Sequence, residues 1–338
     1  MGGDIAGQQS INETSIPAVL QGSETKTTAQ SGRRKGLVLL LKVAMSAAVI
    51  IWLVQKVGIE NFWRQLSNVG ILPLAVALLL TVLQTALGSL RWCRILAKIG
   101  CRMRIPDAFR IFYVAAFFST LLPSSVGGDF VRAWGARAAG LTLAKSINSV
   151  VLDRISTLLG LMVLILALFA PLTTTFGWRA YAFPVLALAA FGGLGVIMLM
   201  DRLPARYGQW RIVRGFWSLS GDCRRVYLRP WAACEIIGVS AIVAILMSLS
   251  VYVLARGLNI PIGIFDCLLI VPSATLVTAL PISIAGWGLR EASFVFAFGF
   301  IGVTASSALS LSVLFGLVNL VSTLPGGIFW LFDRRAKS

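Results

Sequence analysis

The chain has 338 residues, 57% hydrophobic and 13% charged, with a mean hydropathy of +0.86 and a formal net charge of +17. Soluble domains carry about 25% charged residues, so this is an all-α polytopic membrane protein, whose excess positive charge reads as loop charge that sets orientation and meets anionic lipid rather than as a nucleic-acid surface. The absence of histidine excludes a His-based triad, a HExxH zinc site and an imidazole proton shuttle. The five cysteines form no CxxC pair, and neither a P-loop nor a GxSxG elbow occurs, so no metal and no cofactor is expected.

Residues 1–32 are polar and rich in Ser, Thr, Gln and Gly, and read as a disordered cytoplasmic tail rather than a signal peptide. Arg33-Arg34-Lys35 then flanks an uncleaved first span on its cytoplasmic side, within a membrane domain expected over 33–332. A span needs about 20 apolar residues. Candidates are Leu37–Val57, Ile71–Leu90, Ile155–Phe169, Tyr181–Met200, Trp231–Ala255 and Ala308–Phe332. Lys42 reads as a snorkelling lysine. Two regions, Ile111–Gly140 and Ile264–Gly302, each hold two shorter apolar pieces around a Pro/Gly break. The stretch YGQWRIVRGFW from Tyr207 interleaves aromatics and arginines and reads as an interfacial amphipathic helix on anionic lipid. Residues 333–338 form a second basic cytoplasmic tail.

Flanking charges set the direction of each span. Arg91, Arg94, Lys98, Arg102, Arg104 and Arg110, against Asp107, mark the loop after the second span as cytoplasmic. Arg202, Arg206, Arg211, Arg214, Arg224, Arg225 and Arg229 do the same after Met200, as do Arg334, Arg335 and Lys337 at the end. The first broken region must then begin and end inside, and the second must begin and end outside. Their tips, LPSSVGGDFVR from Leu122 and LPISIAGWGLR from Leu280, share the pattern P-x-S-x-x-G-x-x-x-R. The following pieces GLTLAKS at Gly140 and GVTASSA at Gly302 also correspond. The order span, span, hairpin, span occurs twice with opposite orientation. The chain is therefore expected to be an inverted-topology repeat, about 37–170 and 180–332, each half with three spanning helices and one re-entrant helical hairpin. That is a transporter architecture.

Broken backbone at membrane depth is tolerated only inside protein or beside a wet cavity. Pro123 and Pro281 stop the inbound half-helices, and glycines allow the reversal. The outbound half-helices start near Gly128 and Gly286, and their unpaired N–H groups favour an anion. Arg132 and Arg290 follow one turn later. Each costs ~2.5–3.5 kcal/mol at the bilayer centre, which calls for a partner such as Asp129, Asp153, Glu291 or a phosphate, unless the arginines snorkel to the surface as anchors. Asp153-Arg154 has no counterpart in the second half, where Phe315-Gly316 stand at the aligned place. It is either a cytoplasmic flank or a break in the symmetry of the site.

The stretches LLPSSVGGDFVRAW, VVLDRISTLLG and LPISIAGWGLREASFVFAFGFIG, with SLRWCRIL from Ser89, resemble the motifs of the lysylphosphatidylglycerol synthase transmembrane family, the flippase-like domain. The resemblance covers essentially Leu37–Phe332. It implies an integral membrane protein that handles phospholipid or related lipids; the expected location is the bacterial cytoplasmic (inner) membrane, and the flanking basic residues place both termini on the cytoplasmic side. The soluble domain that makes aminoacylated lipid in the best-known members is expected to be absent, since the chain ends six residues after the last span. The resemblance carries over Gly127, Gly128, Asp129, Arg132, Asp153, Arg154, Gly286, Gly288, Arg290 and Glu291 as lipid-binding residues, joined by Ser125 and Ser283 of the repeated tip pattern. The family's second tip often reads Gly-Gly where this chain has Ala285-Gly286.

Two function classes follow. One is a lipid translocase without ATP hydrolysis, moving an anionic or isoprenoid headgroup through a polar cleft between the hairpins, with Asp153 or Glu291 as candidate proton carriers. The other is a membrane-embedded enzyme or accessory of aminoacyl-phospholipid, hopanoid or glycolipid synthesis. No catalytic motif is visible, so the chain is not expected to be an enzyme. The expected partners are membrane lipids and a separate lipid-biosynthesis enzyme, and no nucleic acid.

Overall fold

A computed structural model of the chain describes residues 69–335, apart from 122–124, 171–172, 174–176, 178–181, 200–210 and 280–285. The polar tail, the expected span Leu37–Val57, Lys42, Pro123, Pro281 and Ser283 lie outside the described residues, as does Tyr207–Trp210. The described residues are helical, without strands: α1 Ile71–Lys98, α2 Ile105–Leu121, α3 Ser125–Ala138, α4 Leu143–Ala167, α5 Ala182–Leu199, α6 Arg211–Tyr227, α7 Pro230–Gly257, α8 Ile264–Ala279, α9 Gly286–Gly299 and α10 Ala305–Arg335.

Among the described residues, four helices are long and apolar enough to cross a membrane: α1, α4, α7 and Ala305–Phe332 of α10. With 25 residues, α4 reaches about 37 Å, beyond the roughly 30 Å of hydrocarbon. The 17 residues of α2 and 14 of α3 reach about 25 and 21 Å, too short to cross unaided. These two pack as an antiparallel helical hairpin, with Gly128 against Ser119 and Ala115 at one end and Gly135 against Ile111 at the other. The second pair, α8 and α9, has 16 and 14 residues.

Two helices start earlier or run longer than expected. The second expected span, Ile71–Leu90, continues to Lys98, so Arg91, Arg94 and Lys98 are helical residues and not loop charges. The sequence from Leu90 to Ile99 holds neither Gly nor Pro, and the helix stops only at Gly100, which takes the left-handed φ of 82° that glycine adopts without cost. The third, Ile155–Phe169, begins at Leu143, where Thr142 caps it by accepting the Lys145 N–H. That puts Asp153 and Arg154 in mid-helix rather than in a loop before it. In both places the charge interrupts the apolar run without interrupting the helix, because a charged side chain leaves the backbone ladder intact.

The helices meet through small residues and self-satisfied hydroxyls. A Cβ on Gly160 would fall 2.3 Å from the Ser240 side chain, and one on Gly326 2.1 Å from the Tyr113 carbonyl oxygen, so α4 meets α7 and α10 meets α2 at backbone-to-backbone range. Thr81, Ser156, Ser240, Ser248 and Ser273 each donate to the carbonyl four residues back, which satisfies them without water. α1 and α7 cross antiparallel: Thr81 meets Ser250 at 3.3 Å, and Arg91 meets Ser240 at 2.9 Å. Amphipathic α6 buries Leu219, Cys223 and Val226 while exposing Arg214 and Phe216. Its Ser220 and Arg224 donate to the Met198 carbonyl of α5. Its Asp222, 1% exposed, takes Lys145 and Asn148 of α4.

Candidate functional site

Around the first hairpin the structure gathers three arginines and two aspartates from α1, α3 and α4. Asp153 is the buried centre, 3% exposed, accepting Arg91 Nε at 2.8 Å and Arg132 Nη1 at 2.6 Å. Arg91 uses its other nitrogens on Ser240 and Thr157, each at 2.9 Å. The fork geometry of guanidinium makes this possible: a lysine could not hold three acceptors fixed in one plane. Arg132, 4% exposed, also meets Asp129 at 3.2 Å. It lies 5.2 Å from the Phe112 ring and 5.6 Å from the Trp92 ring, within cation–π range. Its Nε is buried without a hydrogen-bond partner. Arg154 Nε reaches the second oxygen of Asp129 at 2.8 Å.

The five charged residues border a cavity of about 400 Å³. Its remaining wall is mixed: Gln84, Thr85 and Gly88 from α1, Phe112, Ser119 and Thr120 from α2, Gly128 from α3, Thr157 from α4, Val243 from α7, and Asn319 and Thr323 from α10. Among the described residues, three guanidinium groups and two carboxylates border the cavity. Guanidinium groups on a cavity wall present donors in a fixed fork. The close approach of α2 to α3 needs Gly128, since a Cβ there would sit 1.7 Å from Ser119 Oγ and 2.5 Å from the Ala115 carbonyl oxygen.

The candidate residues named from sequence divide into two groups. Gly128, Asp129, Arg132, Asp153 and Arg154 border this cavity, while Ser125 and Gly127 lie in the first turn of α3. Arg290 and Glu291 form a second cluster on α9. Arg290 Nε meets Glu291 at 3.1 Å, and Glu291, fully buried, also takes Ser312 at 3.5 Å. A Cβ on Gly316 would lie 2.3 Å from Arg290 Nη2, so that guanidinium rests on bare backbone. Gly286 and Gly288 lie in the first turn of α9. Among the described residues, the wall of the cavity includes none from α8 or α9, so the two arginines have different neighbours.

Sequence reasoning missed Arg91 as a site residue, along with Trp92, Phe112, Asn319 and Thr323. An unbroken helical reading of Leu90–Ile99 would have placed Arg91 well inside the helix, beside the buried Gly88, Ser89, Trp92 and Ile95. Nothing in the spacing marks Asn319 and Thr323, which reach the cavity only because α10 packs on α2.

No curated protein matches the chain. The sequence model of one family, described as Lysylphosphatidylglycerol synthase TM region, matches residues 39–326. With both short helix pairs and nearly all of the four long helices inside that match, this membrane protein belongs to the Lysylphosphatidylglycerol synthase TM region family.

Proposed function

We propose that the protein is a lipid translocase, in which the phosphate of an anionic headgroup enters the cavity that α1–α4 form with α7 and α10 and moves across the membrane without ATP. The observation that carries this reading is the arginine–aspartate layer bordering a 400 Å³ polar cavity between apolar helices. Charges in such a place are costly and mark ion or substrate pathways. The guanidinium groups on its wall are the donors that phosphate oxygens accept from. Family membership supports a role with membrane lipid.

We further infer an inverted repeat, in which α1, α2, α3 and α4 correspond to α7, α8, α9 and α10, with α2–α3 and α8–α9 as the re-entrant hairpins. Matched local features support it. α1 and α7 both end on a left-handed residue, Gly100 and Asn259, and the two hairpins end on Gly140 and Gly302, with φ of 97° and 79°. Thr142 and Thr304 both accept an N–H in the first turn of the next helix. Asp107 and Asp266 stand in the first turns of α2 and α8. In the register set by Gly100 and Asn259, Thr81 matches Ser240 and Arg91 matches Ser250. The contacts Thr81–Ser250 and Arg91–Ser240 are then one contact seen twice. If α1 and α7 are equivalents, their antiparallel packing turns one half over relative to the other.

The test is translocation of fluorescent phosphatidylglycerol in vesicles reconstituted with the full chain. Arg132→Ala is expected to abolish it in the protein that folds, at a cost in stability because Asp153 loses one of its two buried counter-ions, and Arg132→Lys to keep part of it, because lysine retains the charge and loses the fork. Wild-type rates in well-folded Arg132→Ala/Arg154→Ala protein would overturn the reading. Chemical conversion of the lipid by wild-type protein would favour an enzyme instead.

A further inference from the structure

We propose that Asp129 is a resident stand-in for the substrate's phosphate, and that the headgroup binds by displacing its carboxylate from Arg132 and Arg154. The inference rests on the anionic-headgroup reading of the cavity. The two aspartates of the layer are not equivalent. Asp153 has a 4% exposed side chain, lies between two arginines of similar burial, and belongs to the fixed frame. Asp129 has a 23% exposed side chain on the cavity wall. Its two oxygens are divided, one to Arg132 Nη2 at 3.2 Å and one to Arg154 Nε at 2.8 Å. Two geminal oxygens bridging two guanidinium groups is the geometry a phosphodiester presents with its two free oxygens.

On Arg132, displacement breaks only the long 3.2 Å bond, and that arginine keeps Asp153 and two aromatic rings whatever happens to Asp129. Arg132 also has a buried Nε with no acceptor, so its donors exceed the acceptors now present, as expected of a guanidinium that takes a further anion. Arg154, with a 45% exposed side chain, is the arm that swings with the incoming group. Asp129 sits on hairpin helix α3 and Arg154 on spanning helix α4. Displacement therefore opens the Asp129–Arg154 link between hairpin and span at the moment the headgroup is held, coupling occupancy of the seat to release of the hairpin.

The sign of one substitution separates this from a positioning role. If Asp129 serves only to orient the arginines, neutralising it weakens binding. If it occupies the seat, neutralising it strengthens binding. Purified full-length protein in nanodiscs is titrated with phosphatidylglycerol, and with diacylglycerol, which lacks the phosphodiester, as control. Asp129→Asn is expected to tighten phosphatidylglycerol about tenfold, some 1.4 kcal/mol, with diacylglycerol unchanged, while slowing its translocation. Asp129→Glu keeps the anion and should return affinity to within about threefold of wild type. Unchanged or weaker binding by folded Asp129→Asn overturns the proposal, and weakened binding by Arg154→Gln in the same series leaves the headgroup reading standing. Indifference to Arg154→Gln and Arg132→Ala alike overturns both. Asp129→Ser is the second variant. Failure of both neutral variants to fold also overturns the proposal, because a displaceable anion must be dispensable to the fold.

Discussion

Replacing Asp153 by asparagine keeps the shape of the side chain and removes its charge. In the folded protein Arg91 Nε lies 2.8 Å and Arg132 Nη1 2.6 Å from separate oxygens of Asp153. The amide can accept from one of them and must turn an NH2 donor toward the other. One buried guanidinium then has no counter-ion there and faces a donor, at a site where all three side chains are 4–5% exposed. Breaking a buried pair from one side costs roughly 3–5 kcal/mol. Ser240 and Thr157 still hold Arg91, and Asp129 still holds Arg132, so the lower end, about 3 kcal/mol, is expected, or roughly a 150-fold drop in the folding equilibrium. The exposed pair Arg104–Asp107, with side chains 87% and 47% exposed, is the internal control. Asp107→Asn should change stability by less than about 0.5 kcal/mol. Unfolding of both variants in mixed micelles, followed by tryptophan fluorescence, makes the comparison. Equal destabilisation would mean that the Asp153 layer is solvated like a surface, and the argument from burial would fail.

Gly128→Ala should lower folded yield sharply. Ser119→Ala should not rescue it, because the Ala115 carbonyl, 2.5 Å from the new Cβ, is backbone and cannot rotate away; full rescue would show the arms to be loosely packed. The two left-handed C-termini give a topology test. α1 and α7 are antiparallel, so Cys101 and a cysteine placed at Asn259 should label with an impermeant maleimide from opposite faces, and labelling from one face would remove the inverted repeat. On α6, burial first and then the Asp222 carboxylate push the Cys223 thiol up to about 12. Its thiolate is therefore scarce below that pH, so iodoacetamide at pH 8 should modify exposed Cys234 and leave Cys223 until the protein is unfolded. Asp222→Asn removes a cause of the upward shift and should speed Cys223 modification at pH 9–10.

The sequence by itself determined the membrane class, the family, the repeated P-x-S-x-x-G-x-x-x-R tips and the paired GLT and GVT pieces. These are local signals: apolar runs, breakers and caps act within a few residues, so their spacing survives in one dimension. Gly140, Thr142, Gly302 and Thr304 stand in the structure as such local devices. Only the tertiary structure decided which charges are buried. Arg91 and Asp153 are 62 residues apart and each borders an apolar run, which by sequence alone reads as a loop charge for Arg91 and as either a flank or a site residue for Asp153. Helices without breakers run past their charges, and packing of α1, α3 and α4 then brings those charges to one level, where each can neutralise another. The same holds for the contrast between the two arginines. Arg132 finds Asp153 on the next helix, whereas Arg290 finds the bare backbone of Gly316 there and takes its carboxylate from its own neighbour Glu291. A charge's meaning in a bundle depends on what the adjacent helix offers at its height, and that is a property of packing rather than of spacing.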